Sequence, residues 1–275
     1  LGEVHDLDVL WATALRVNAF PTIESRSLWH VRITEERSRR IDKYRARMLG
    51  ENSLWQVWRA ALPGEGEVRK IALSRLKLWA SALDPDFKHS NHVAKLALQL
   101  YDVLPSGAQT SDVWNGCDPR EILQVAALLH GVSPSKRGKK PHNAAYKLIN
   151  RLTPPLGWGS EELHLAAVVA RYHRGALPNV GQTSWSGVTP GQRQRVSRLA
   201  GILRLAHAFD AKHDGRIQRV RVEERTAFLV IVAEGYSPRD RMAEVIAAAR
   251  HLLEIVYRRP VMVKPEPRKR IRVRT

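Results

Sequence analysis

Cysteine is almost missing from this chain: Cys117 stands alone among 275 residues. No internal disulfide can form, and a reducing compartment, the cytoplasm, is the expected location. No run of 18 apolar residues occurs, which excludes an ordinary membrane-spanning helix and makes a membrane partner unexpected. Leu1 is not an initiator methionine and no signal-peptide pattern follows it. The expectation is a fragment of a longer protein without a visible secretory signal. Glycine-rich phosphate loops of the GxGxxG or GxxxxGKS/T kind are absent, as is a Gly-x-Ser-x-Gly nucleophile elbow. The eight tryptophans do not interleave with basic residues as they would in an RNA-recognition surface.

Acidic residues are scarce too. Lys and Arg outnumber Asp and Glu 45 to 27, a net charge of +18. Such an excess repels itself in a folded chain, and a polyanionic partner is the usual reason to keep it. A merely solubilising surface is better made with acidic residues. The apolar share of 44% is that of a globular protein.

Prolines and glycines divide the pattern. Helices are predicted over about 1–18, 23–49 and 52–62, followed by a hinge at Pro63-Gly-Glu-Gly-Glu67. Helical patterning resumes at Val68 and runs, with breaks, to about Asp210. Segments 84–104, 121–129 and 199–209 are its clearest helices. Residues 219–222 and 227–233 then read as strands, 238–257 as a helix and 260–263 as a third strand. The tail from Lys264 is strongly basic and is expected to order only on an anion.

On a helical wheel, Arg32, Arg39, Arg40, Lys43 and Arg47 share about one quadrant. Ile33, Ile41, Tyr44 and Met48 line the adjoining face. Like charges on one ridge repel, and a polyphosphate gripped by arginine forks would relieve them; the alternative is a solvated surface helix. The segment Leu1-Gly-Glu-Val-His-Asp-Leu-Asp-Val9 followed by this basic helix resembles the later half of a CHAD domain. His5 stands where that family has Arg. The resemblance implies an all-helical polyphosphate binder, with Arg32, Arg39, Arg40, Lys43 and Arg47 as ligands, and covers about 60 residues.

Histidines dominate the rest. His89, His130 and Asp210 lie on separate predicted helices and could converge on a divalent metal that activates water. The stretches His89-Ser-Asn-His-Val-Ala-Lys-Leu-Ala97, Ala126-Ala-Leu-Leu-His130, Arg171-Tyr-His-Arg-Gly175 and Leu199-Ala-Gly-Ile-Leu-Arg-Leu-Ala206 with Asp210 resemble, in order, the C-terminal HD-type region of the Ppx/GppA exopolyphosphatase family. In that family hydrolysis belongs to separate actin-like domains, which have no counterpart here. The helical region helps to hold the polyphosphate. An active HD phosphohydrolase needs Asp directly after its second His, whereas His130 is followed by Gly131. Gly131 is then expected to be a helix C′ cap and His130 a buried, hydrogen-bonded histidine.

The loop 133–140 contributes Lys136, Arg137, Lys139 and Lys140. With His142, Arg171, His173 and Arg174 it forms the second expected phosphate-binding group. Arg204, on an apolar helix, is expected to pair with a carboxylate such as Asp210.

The expected fold is therefore mainly α. A CHAD-like helical segment (1–62) precedes a linker and lead-in helix (63–80), an HD-type helical domain (81–215), a small α+β element (216–263) and a basic tail (264–275). The expected function is non-catalytic binding of inorganic polyphosphate, with no cofactor. Nucleic acid is a non-specific competitor, and a homodimer is compatible. The alternative is an HD-type phosphohydrolase using His89, His130 and Asp210 with Mn²⁺ or Mg²⁺.

Overall fold

A computed structural model describes residues 2–49, 65–105, 117–132, 141–179 and 181–266. The fold is mainly α with a small C-terminal sheet. Two compact units make up the chain, Leu1–Gly64 and Glu65–Thr275. The helix expected over 52–62, the basic loop 133–140 and most of the tail lie outside the described residues.

In the first unit, α1 (Gly2–Arg16) and α2 (Ile23–Leu49) form a hairpin. The turn before α2 is closed by reciprocal hydrogen bonds between Thr22 and Ser25. Across the hairpin Arg37 pairs with Asp8 at 3.0 Å, and Arg40 donates to the Glu3 carbonyl at 2.7 Å. Among the hairpin's described residues, only Val4 and Leu7 are buried.

The second unit carries the main core. Its helices are α3 (Glu65–Leu83), α4 (Phe87–Val103), α5 (Pro119–Leu129), α6 (Pro141–Ile149), α7 (Ser160–Arg171) and α8 (Pro190–Phe209). Asp118 caps α5, accepting from the Arg120 amide at 2.8 Å, and Pro119 fits the first turn, where no amide donor is needed. Helix α5 is buried from Ile122 to Leu129 apart from Gln124, so its neighbours α4, α7 and α8 pack around it. Arg69 ties α3 to this core: it reaches Glu121, Glu162 and the Gly157 carbonyl, and lies 5.5 Å over the Trp158 ring. Burial opposes its charge, and the two carboxylates more than offset that, raising its pKa.

Strands β1 (Val220–Glu224) and β2 (Leu229–Ala233) are antiparallel, Val220 opposite Ala233. Helices α9 (Met242–Ala249) and α10 (His251–Tyr257) follow, and β3 (Val261–Pro265) returns parallel to β2, Leu229 opposite Val261. The single helix expected over 238–257 is thus two, meeting at Arg250. Gly201 lets α10 approach α8: a Cβ there would lie 2.8 Å from Leu253 Cδ2. Glycine in a helix interior costs about 1 kcal/mol, and here the close helix contact requires it.

Candidate functional site

Helix ends carry a histidine cluster into the core of the second unit. Asp86 caps α4 by accepting from the His89 amide. His89 then heads the stripe Val93, Leu96 and Leu100, all buried, so the ring goes inward with them. His130 caps the C-terminus of α5, and His173 follows α7 by two residues. His207 lies in the last turn of α8, and Asp210 caps that helix. Because α4, α5, α7 and α8 pack on one another, these four ends meet.

Ring centroids are 5.4 Å apart for His89 and His130, 5.2 Å for His89 and His207, and 4.8 Å for His130 and His173. His173 and His207 are separated by 4.9 Å. His213, in a left-handed backbone conformation (φ 57°), stacks on His89 at 3.7 Å and hydrogen-bonds to Asp86. The hydrogen bonds fix the tautomers. His130 Nδ1 donates to the Ala127 carbonyl and His173 Nδ1 to the Ala170 carbonyl, both at 2.6 Å. A carbonyl only accepts, so in each ring Nε2 keeps its lone pair. His89 Nδ1 lies 2.8 Å from Asp210 Oδ2, leaving His89 Nε2 buried without a partner.

Burial pushes the His130 pKa down to about 4 and lowers that of His89 against the pull of Asp210. His173 and His207 fall well below the usual histidine range, first through burial and then through the neighbouring histidines. All four rings are therefore neutral at neutral pH.

Gly131 departs from its expected role. Its φ is not positive, so it is not the left-handed C′ cap read from the sequence. Space explains it instead: a Cβ there would lie 2.5 Å from Asp84 Oδ2 and 2.7 Å from Ser90 Oγ. Asp84 is itself held by the Ser90 hydroxyl at 2.5 Å and the Asp86 amide at 2.9 Å. The side-chain position after His130 is filled by a carboxylate from the turn before α4.

Asp210 is also committed. Oδ2 meets His89 and Oδ1 accepts from the Gly215 amide at 2.8 Å. Arg204, expected to pair with it, instead donates to the carbonyls of Tyr172 and Gly175 and clamps the turn carrying His173 and Arg174. His92, on the same helix as His89, meets the Ile217 carbonyl at 2.8 Å.

The predicted cations fall into two sets, one in each unit. On α2, Arg39 and Arg40 both bind Glu36, which they hold at a pKa of about 2. Arg32 lies 6.0 Å from the Trp29 ring, while Lys43 and Arg47 are exposed. In the second unit, Arg171 lies over the Tyr172 ring at 5.4 Å, with Nη1 buried and unpartnered. Arg174 is exposed near the histidines, and its charge helps keep His130, His173 and His207 neutral. Lys136, Arg137, Lys139 and Lys140 lie outside the described residues, as does the side chain of His142, in the first turn of α6.

The structure thus brings His89, His130, His173 and Asp210 together and adds His207 and His213, which sequence reasoning missed. The spacing of His207 and Asp210, three residues apart at one helix end, was the available signal.

The family profile for Ppx/GppA phosphatase, domain III, matches residues 68–237. No curated protein matches the chain.

Proposed function

The chain belongs to the Ppx/GppA phosphatase domain III family, and from that premise we propose that it is a non-catalytic polyanion-binding protein whose ligand is inorganic polyphosphate. The observation carrying this reading is the charge. A net +18 includes Lys43, Arg47 and Arg174, exposed side chains with no acidic partner among the described residues. Phosphate oxygens offset such charges through charge-assisted, often bidentate hydrogen bonds. Residues 1–62 are read as a CHAD-like segment that contributes its own cations. The half-buried Cys117, its pKa pushed up to about 11 by burial, is an unreactive thiol suited to the cytoplasm.

The non-catalytic part of the reading rests on the motif position. The carboxylate that an HD phosphohydrolase carries after its second histidine is replaced by Gly131, with no room for a side chain. Asp210 is already engaged by His89 and Gly215.

The test is competition. Polyphosphate affinity is expected to fall log-linearly with salt, as counterion release requires, and to exceed that for DNA at equal phosphate concentration. Displacement of polyphosphate by single-stranded or duplex DNA at that concentration removes the specific claim. Phosphate release with Mn²⁺ or Mg²⁺, abolished by His130→Ala, would establish the phosphohydrolase instead.

A further inference from the structure

We propose that His89, His130 and His207 form a binding site for one transition-metal cation of the Zn²⁺ class. One ring nitrogen from each lies within 4.8 Å of the others, a span that a single ion can bridge. Three features point to a ligand rather than to packed rings. His89 is only 6% exposed, and its Nε2 is buried without a hydrogen-bond partner. An unsatisfied buried polar atom is destabilising, and a bound cation would relieve it. His130 is fixed by the Ala127 carbonyl in the tautomer that leaves Nε2 free to ligate. His89 donates its other ring nitrogen to Asp210, the carboxylate–histidine–metal arrangement that orients a ligating ring and raises its basicity.

The donor chemistry selects the ion. Three neutral imidazoles suit Zn²⁺, Ni²⁺ or Cu²⁺, whereas Mg²⁺ and Mn²⁺ prefer carboxylate and water oxygens. Asp210 serves His89 instead. This site therefore differs from the His89, His130 and Asp210 set expected for Mn²⁺ or Mg²⁺. Three nitrogens leave a fourth tetrahedral position for an oxygen of water or phosphate. The proposal is independent of polyphosphate binding, which can be measured in EDTA.

The experiment uses the full chain, stripped with EDTA and titrated with Zn²⁺ against a chromophoric chelator, with Mg²⁺ in parallel. One Zn²⁺ per chain is expected, with a rise in thermal midpoint that Mg²⁺ does not reproduce. Co²⁺ loading is expected to give the visible absorption of a tetrahedral nitrogen site. His207→Ala, a partly buried position, should weaken Zn²⁺ at least about 100-fold with the circular dichroism unchanged. His207→Asn, closer in size and polarity, should do the same if the alanine variant fails to fold. His164→Ala, a histidine elsewhere in the unit, should leave affinity intact. Sub-stoichiometric Zn²⁺ in the wild type, or equal affinity in His207→Ala or His207→Asn, overturns the proposal.

Discussion

The α1–α2 hairpin and the histidine cluster answer the same problem, too many basic groups, in opposite ways. On the hairpin the charges stay in water and only some are paired locally: Glu36 holds Arg39 and Arg40, and Asp8 holds Arg37. The Arg39 side chain is still 78% exposed, so its ion pair is screened and contributes little to stability. In the second unit, burial removes the charge itself. Four rings are held neutral, three buried and His207 partly buried, and the lone pairs of His89, His130 and His173 are directed by Asp210 and by backbone carbonyls. A basic side chain left in water keeps its charge and depends on screened ion pairs, whereas one taken into a core gives the charge up.

Four perturbations sharpen this contrast. The largest effect is expected at the core. Gly131→Asp sets a second carboxylate against Asp84 where no room exists and should cost more than about 3 kcal/mol in urea unfolding. Adding Asp84→Ala should recover about 1–3 kcal/mol as a coupling term, visible only in the double variant. A simple additive loss would show that the crowding between these residues is not the cause.

Next is the pH dependence of the EDTA-stripped protein. The unfolded chain binds protons at a histidine pKa of about 6.5, while His130 in the fold titrates near 4. Between these values the unfolded state holds more protons, so stability is full above about pH 6.5 and declines on acidification towards 4. His130 alone should account for roughly 3 kcal/mol of that loss. The urea midpoint of a His130→Gln variant should then vary less with pH than that of the wild type. An equally steep variant profile would assign the effect to other groups.

Arg69→Ala should cost about 2 kcal/mol, because it leaves the buried Glu162 carboxylate unpaired and loosens α3. Chemical denaturation measures it, and Glu162→Gln in the same background should restore part. The smallest effect belongs to the hairpin. Glu36→Gln should leave the unfolding midpoint unchanged and strengthen polyphosphate binding by about twofold to fivefold, by releasing two arginines. Titration with labelled polyphosphate reads this directly, and an unchanged affinity would place the ligand away from α2.

Much of this was legible in the amino-acid order. Proline and glycine punctuation located α2 and α5 closely, and β-branched runs located the three strands. His89, His130 and Asp210 were visible on separate helices, and His173 in the Arg171–Arg174 stretch between them. What could not be read were contacts made by residues far apart in sequence. Asp84 was assigned to the start of a helix, but α3 ends at Leu83 and α4 begins at Phe87. The turn around Pro85 frees Asp84 to reach Gly131. His207 carries no local mark of its partners, which lie on three other elements. The pairing of Glu36 with Arg39 and Arg40 was available at i+3 and i+4.

The sheet has a practical consequence for anyone dividing this protein. The family match stops at residue 237, but β3, which covers one side of the wholly buried β2, lies at 261–265. A shortened chain ending at the match would bare a row of backbone donors and acceptors on a Leu-Val-Ile-Val edge. Such edges recruit strands from other molecules. Aggregation of that fragment would report a severed sheet, and would say nothing against the folding of the helices before it.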